Sequence, residues 1–254
     1  MPDQIAHILF ARRVLARADR HVRALVCAQS PAFRAGSFGP DPLFNDPSPR
    51  RRAEGFEMHR SPGYASLDRM RQPLRQRMPW AADYAAGFFC HYALDRLCHP
   101  GIKALAAEGE VRHVALESAY DRLLYQRGNC SLPRRIALSR SALNAAAQMY
   151  TRVGAARYGM DVEAFWQIRR FVIFGGGTPI AELAGRIMPR YDGLVPHAQP
   201  SPATLRGMEM LDTLMEEGIA PAAQQLNLYF EALLENKPLD PWTYADFSGF
   251  QTQL

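Results

Sequence analysis

Between Gly87 and Glu117 the chain carries five side chains that bind metals or move protons. His91, Asp95 and His99 follow one another at four-residue steps, and His113 and Glu117 repeat the step. Residues four apart share one face of a helix. HxxxDxxxH therefore lays an imidazole, a carboxylate and a second imidazole along a stripe that drifts only ~80° over ~12 Å. Such a stripe can feed two adjacent metal sites, with the central carboxylate reaching both. His113 and Glu117 make a second clamp on the next helix, which a short connection returns antiparallel. Imidazole with carboxylate is a donor set that suits zinc. A single HxxxD pair often arises through core packing. Two such motifs in close succession are more specific, because unpaired rings and carboxylates are costly inside a protein. The competing reading is a buried hydrogen-bonded network.

The elements that must hold these groups read as helix nearly throughout, so an all-α fold is expected: a single multi-helix domain over residues 1–254. The apolar positions Ile5, Ile8, Leu9 and Leu15 predict a first helix from about Gln4 to about Cys27, capped by Asp3. Ser30 to Glu54 is rich in Pro, Gly, Ser and Asp and reads as a long loop with little regular structure. Helices are expected from Ser61-Pro62 to Arg77, from Ala81 to Cys98 with a stop at Pro100-Gly101, and from Glu110 to Tyr125. Ala137 to Tyr158 and Val162 to Phe174 follow, the latter ended by three glycines, then a short helix from Thr178 to Arg186. Val195 to Pro202 reads as a loop. Leu205 to Asn236 reads as two helices interrupted near Gly218 and Pro221, and Pro238 to Leu254 as an irregular aromatic tail. No run alternates as a strand would. The metal ligands fall within residues 1–125, with a helical remainder over 126–254.

Composition narrows the classes. Hydrophobic residues make up 48% and charged residues 22%, values of an ordinary soluble chain. No apolar run approaches the ~18–20 residues of a membrane span. The start lacks the pattern of a secretory signal, so a cytoplasmic location is expected. Cys27, Cys90, Cys98 and Cys130 form no CxxC pair, and free thiols are expected. Cys90 and Cys98 adjoin His91 and His99, but neighbours on a helix point ~100° apart, away from the ligand direction. Of 30 basic residues only Lys103 and Lys237 are lysine. Arginine forks match phosphate, so Arg50, Arg51, Arg52, Arg69, Arg71, Arg75 and Arg77 are candidates for a phosphate-facing rim, against the plainer reading of a solvated surface.

The block Gly87-Phe88-Phe89-Cys90-His91-Tyr92-Ala93-Leu94-Asp95-Arg96-Leu97-Cys98-His99-Pro100 resembles the core of the bacterial zinc-dependent phospholipase C family, whose trinuclear site is shared with single-strand nucleases of the same fold. His7, Gly39-Pro40-Asp41-Pro42, Met58-His59 and His113-xxx-Glu117 stand in the matching order. The resemblance covers about the first 125 residues. It implies two or three Zn2+ ions. One would take Asp41, His59, His91 and Asp95; a second His99, His113 and Glu117; a third His7 with a bridging Asp95. In the family the third is completed by the mature N-terminal residue. Here Pro2, after removal of Met1, would have to serve. The resemblance implies hydrolysis of a phosphoester or phosphodiester, with Asp41 orienting the attacking water as well as ligating. A phospholipid substrate is the first expectation and nucleic acid an alternative, for which Trp80, Phe38, Phe44 and Tyr64 are the candidate stacking platforms. A non-catalytic, zinc-stapled helical protein and a partner-binding protein using the aromatic tail remain as other classes.

Overall fold

Helix α7 (Ala81–Ala107) is the axis of the fold, and it is buried without a break from Asp83 to Asp95. A helix apolar on all sides is stable only when other elements enclose it. The enclosure comes from α1 (Gln4–Arg17), α2 (Arg20–Leu25), α3 (Pro31–Ser37), α4 (Pro49–Arg60), α5 (Gly63–Leu67), α6 (Arg71–Arg75), α8 (His113–Gln126), α9 (Arg140–Ala147), α10 (Ala155–Gly175) and α11 (Pro202–Glu235), with 3₁₀ turns at Asp41–Asn45, Asp68–Met70 and Pro241–Tyr244. The structure is a computed structural model describing residues 4–109, 111–128, 133–175 and 200–250. It is all-α, as expected, with no strand among the described residues.

Packing around α7 is close on two sides. Against α3 the backbones nearly touch: a Cβ added at Gly87 would lie 2.3 Å from the Phe33 carbonyl oxygen, and one at Gly36 2.3 Å from that of Tyr84. α1 lies against α7, α8 and α11, while α10 packs on the Asp41–Asn45 turn.

Several boundaries differ from the sequence expectation, each for a physical reason. The first helix stops at Arg17 because Asp19 turns extended as the N-cap of α2, where its amide donates to Asn227 Oδ1. Ser30 to Glu54 is largely structured. The Ser30 hydroxyl accepts from the Phe33 amide and Pro31 opens α3, so Ser-Pro acts as a cap and first-turn pair. Residues 61–77 fall into short pieces rather than one helix, with Pro73 inside the last. α7 runs through Pro100 to Ala107, and α11 is one helix through Pro221. In both, tertiary packing offsets the lost hydrogen bond: Gly101 lies so close to Met210 that an added Cβ would be 2.6 Å from its sulfur, and one at Gly218 would meet Leu97 at 2.3 Å. The Ala137–Tyr158 stretch breaks after Ala147, where the amides of Thr151 and Arg152 donate to the buried Glu54 carboxylate. The expected helix over 178–186, the expected loop over 195–199, Cys130 and the Asp3 cap lie outside the described residues.

Candidate metal centre

Five elements deliver the eight residues singled out above: α1 brings His7, the first 3₁₀ turn Asp41, the end of α4 His59, α7 the triplet His91, Asp95 and His99, and the first turns of α8 His113 and Glu117. Their donor atoms fall into three groups, each within 4.8 Å: His7, His91 and Asp95; Asp41, His59 and His91; His99, His113 and Glu117. All eight singled-out residues fall within these groups. The grouping differs from the expectation in two respects: His91 joins both of the first two sets, and Asp95 groups with His7 and His91 rather than with Asp41 and His59. Its ring stacks on His7 at 4.2 Å between centroids.

Asp95 straddles those two sets. Its Oδ1 lies 3.3 Å from His7 Nε2, and its Oδ2 lies 3.3 Å from His91 Nε2 and 3.6 Å from His59 Nε2. Asp41 Oδ1 is 3.1 Å from His59 Nε2 and 3.8 Å from His91 Nε2. On the other flank His113 Nε2 is 2.8 Å from Glu117 Oε1, and the His99 and His113 rings are 5.3 Å apart.

The protein fixes which atom three of the five histidines present. His59 Nδ1 donates to the Gly55 carbonyl at 2.7 Å, His91 Nδ1 to that of Ser37 at 3.2 Å, and His99 Nδ1 to that of Phe247 at 2.8 Å. A carbonyl only accepts, so in each neutral ring the proton sits on Nδ1 and Nε2 offers its lone pair. Both nitrogens of His7, the Nε2 atoms of His59 and His91, Asp41 Oδ1 and both Asp95 oxygens are buried without a hydrogen bond. Leaving so many polar atoms unsatisfied in one place is expensive, roughly 1–3 kcal/mol for each. A cation among them would satisfy the lone pairs together, and the nitrogen–oxygen donor set fits zinc. Burial lowers His7 to about 4, further depressed by His91 and opposed by Asp95. Burial likewise lowers His113 to about 3 and His99 well below its usual range, so these rings are neutral, the ligating form, near pH 7. For His91 burial is outweighed by Asp95 and Asp41, and its pKa rises; for Asp95 burial is outweighed by His91 and His99, and its pKa falls well below the carboxylate range.

Residues outside the expected set hold this arrangement. Gly39 adopts φ +54°, and a Cβ there would lie 2.2 Å from the His91 ring. Its carbonyl accepts from the Tyr150 hydroxyl at 2.9 Å, which in turn meets Tyr84 OH at 2.9 Å, and Tyr84 OH meets Tyr158 OH at 2.8 Å. This buried tyrosine cluster braces the loop between α3 and Asp41. Asp121 accepts from the amides of Ile5 at 2.8 Å and Ala6 at 2.9 Å, pinning the turn that carries His7. Asp121 continues the four-residue series of His113 and Glu117, a signal available in the sequence. The Phe247 carbonyl had none.

Cys90 and Cys98 are free and buried, their thiols pushed up by that burial, and they belong to none of the donor groups; Cys27 is free and exposed. Four of the seven candidate rim arginines are tied to protein groups. Arg51 pairs with Asp46, Arg52 donates to the Asp46 carbonyl, Arg69 to that of Met149 and Arg71 to that of Ala232. Of the other cations, Lys103 bears electrostatically on His113, and Arg60 lies over the Phe56 ring at 5.9 Å. Of the candidate stacking platforms, Phe38 is fully buried against Trp166, Tyr64 packs on Tyr244, and Trp80 stands at the start of α7 bonded to Ser141. Phe44 alone of the four touches the centre, 5.0 Å from His59 and stacked on the exposed Phe56 at 4.6 Å.

A family model for zinc dependent phospholipase C matches residues 6–165, a span that includes all eight residues. No curated protein and no solved structure matches the chain. No described helix is long and apolar enough to cross a membrane.

Proposed function

Because this chain belongs to the zinc-dependent phospholipase C family, we propose that it hydrolyses phosphoesters at the centre described above, by phosphodiester cleavage of the phospholipase C type. The observation that carries the reading is the buried, unsatisfied set of imidazole and carboxylate atoms gathered from five elements. Two or three zinc ions are proposed: one with Asp41, His59, His91 and Asp95, one with His99, His113 and Glu117, and one with His7 and Asp95. The residue that would complete the last set lies among residues 1–3, outside the described ones. Bound zinc supplies Lewis acidity toward the phosphoryl oxygens and a water whose pKa falls to ~7.

The chain's own residues do the rest. Asp41, buried beside His59 and His91, orients the attacking water and receives its proton through the same carboxylate. Asp95, with one oxygen toward each set, keeps the two halves in register. Lys103, whose charge bears on His113, would draw an anionic substrate toward the ligands. The stacked Phe44–Phe56 pair beside His59 supports a second reading, in which the apolar contact is to a nucleobase.

Elemental mass spectrometry on purified protein tests the centre. Two or three zincs per chain are expected, with phosphodiesterase activity lost on chelation; one or none would contradict the reading. Asp41→Asn is expected to lower kcat by ~10²–10⁴-fold, the range for a lost general base, with the helical circular dichroism unchanged. Unaltered turnover in that variant would remove Asp41 from the role of base, whereas lost turnover with retained fold argues against a zinc that only stabilises. A screen of phospholipid against single-stranded oligonucleotide substrates separates the two reactions.

A further inference from the structure

The segment after α11 returns to the metal centre, although it lies beyond the residues matched to the family. Asp246 to Phe250 close into a tight turn. Asp246 Oδ1 accepts from the amides of Ser248 at 2.7 Å and Phe250 at 3.1 Å, and the Asp246 amide donates to the Phe250 carbonyl at 2.9 Å. Gly249 provides the positive φ, +79°. The turn is seated on three elements of the site. The Phe247 amide donates to the His59 carbonyl at 3.3 Å, and the Gly63 amide and Tyr92 hydroxyl both donate to the Ala245 carbonyl at 2.9 Å. Along α7 the Arg96 guanidinium lies 4.2 Å from the Trp242 ring centre, and Lys103 donates to Ser248 Oγ at 2.6 Å. At Gly249 the turn approaches the Arg96 carbonyl so closely that an added Cβ would be 2.9 Å from it. Pro100, four residues on, has no N–H to offer that carbonyl, and the helix is open to the tail there.

From this seat the turn reaches the ligands themselves. The Phe247 carbonyl accepts from His99 Nδ1, and its fully buried ring lies 5.0 Å from the His59 ring and 5.9 Å from that of His91. The other two carbonyls that orient a ligand ring, Gly55 and Ser37, belong to the matched region. We propose that the Asp246–Phe250 turn is a positioning clamp for the metal centre, with Phe247 setting His99 through its carbonyl and covering His59 and His91 with its ring. The proposal rests on the zinc reading above. If the turn positions the ligands, linkage requires that zinc in turn hold the turn shut.

Hydrogen exchange on the intact chain, with and without zinc, tests this. Zinc should slow exchange of amides 247–250 by a factor of ten or more, alongside the slowing at the ligands. In parallel, zinc affinity is measured by chelator competition on Asp246→Ala, Asp246→Asn and Phe247→Ala. Loss of a group that orients a ligand weakens metal binding by about 10–100-fold. That loss is expected for Asp246→Ala, which frees the turn, and for Phe247→Ala, which keeps the carbonyl but uncovers His59 and His91, with Asp246→Asn, which still accepts from both amides, close to the parent. Zinc uptake with unchanged exchange at 247–250, or folded alanine variants of parental zinc affinity, would overturn the clamp and leave the proposed function standing. A parent chain that takes up no zinc would overturn both.

Discussion

Gly39 shows how narrowly the centre is built. Its φ of +54° lies in the left-handed region, where a side chain costs about 1–2 kcal/mol, and the missing Cβ leaves the space occupied by the His91 ring. Gly39→Ala is therefore expected to cost more than the backbone term alone and to push His91 off its place beside Asp41 and Asp95. Denaturant unfolding should report the first effect and chelator competition the second; full zinc affinity in the variant would mean the loop can shift without disturbing His91. The protonation pattern belongs to the same scale. Burial keeps His7, His99 and His113 neutral, so these three rings meet a metal without first shedding protons near pH 7, whereas at His91 the pull of Asp95 and Asp41 outweighs burial and favours the protonated form.

At the scale of elements, the α3–α7 contact decides whether Ser37 can reach His91. Gly87→Ala places a methyl carbon 2.3 Å from the Phe33 carbonyl oxygen, which belongs to a helix backbone and has little freedom to retreat. Overpacking of this kind costs typically 1–3 kcal/mol. The expected outcome is a lower thermal midpoint together with weaker zinc binding, since parting the helices lengthens the Ser37–His91 bond; a lower midpoint with unchanged zinc affinity would separate the two roles. The sequence made the stripe on α7 and the clamp on α8 legible because four-residue spacing is a local property of a helix. The positions of His7, Asp41 and His59 came from resemblance alone, because nothing local brings α1, a 3₁₀ turn and α4 together. The structure inside Ser30–Glu54 was hidden by composition, since Ser, Pro and Gly serve caps and first turns as readily as loops. The continuity of α7 through Pro100 and of α11 through Pro221 was hidden because packing partners distant in sequence compensate for each proline.

Across the whole molecule, the turn bearing Asp41 is tied to α10 through Arg157, which meets both Asp46 and Asp161. Asp46 ends that turn and takes Arg51 Nε at 2.7 Å and Arg157 Nε at 2.8 Å, which together overcome its burial and hold it below the usual carboxylate range. Asp161, buried on α10 and paired with Arg157 Nη2 at 2.7 Å, is raised by burial, and then by the neighbouring Asp46, from 3.8 to about 7. The folded state thus holds a proton that the unfolded chain releases near pH 4. Stability from this group is complete below that value and is lost as pH rises through about 7. Asp161→Asn removes the titrating group without adding charge. Its unfolding midpoint is expected to exceed the parent's above pH 7 and to converge with it toward pH 4, measured by denaturant titration across that range. Parallel profiles for the two proteins would show that the proton is not shared across this contact.

Helix α7 carries His91, Asp95 and His99 on one rigid rod, and a rod tolerates no change of length. Deleting one residue between His91 and His99 would turn everything beyond it by ~100° and draw it in by ~1.5 Å. His99 would then leave His113 and Glu117, and the Phe247 carbonyl would face a different side chain. The connection between Ala107 and His113 lies outside the rod, so a change of length there leaves the spacing of His91, Asp95 and His99 intact. Insertions should therefore be accepted there and rejected within the rod, so natural variation in chain length is expected to collect in that connection.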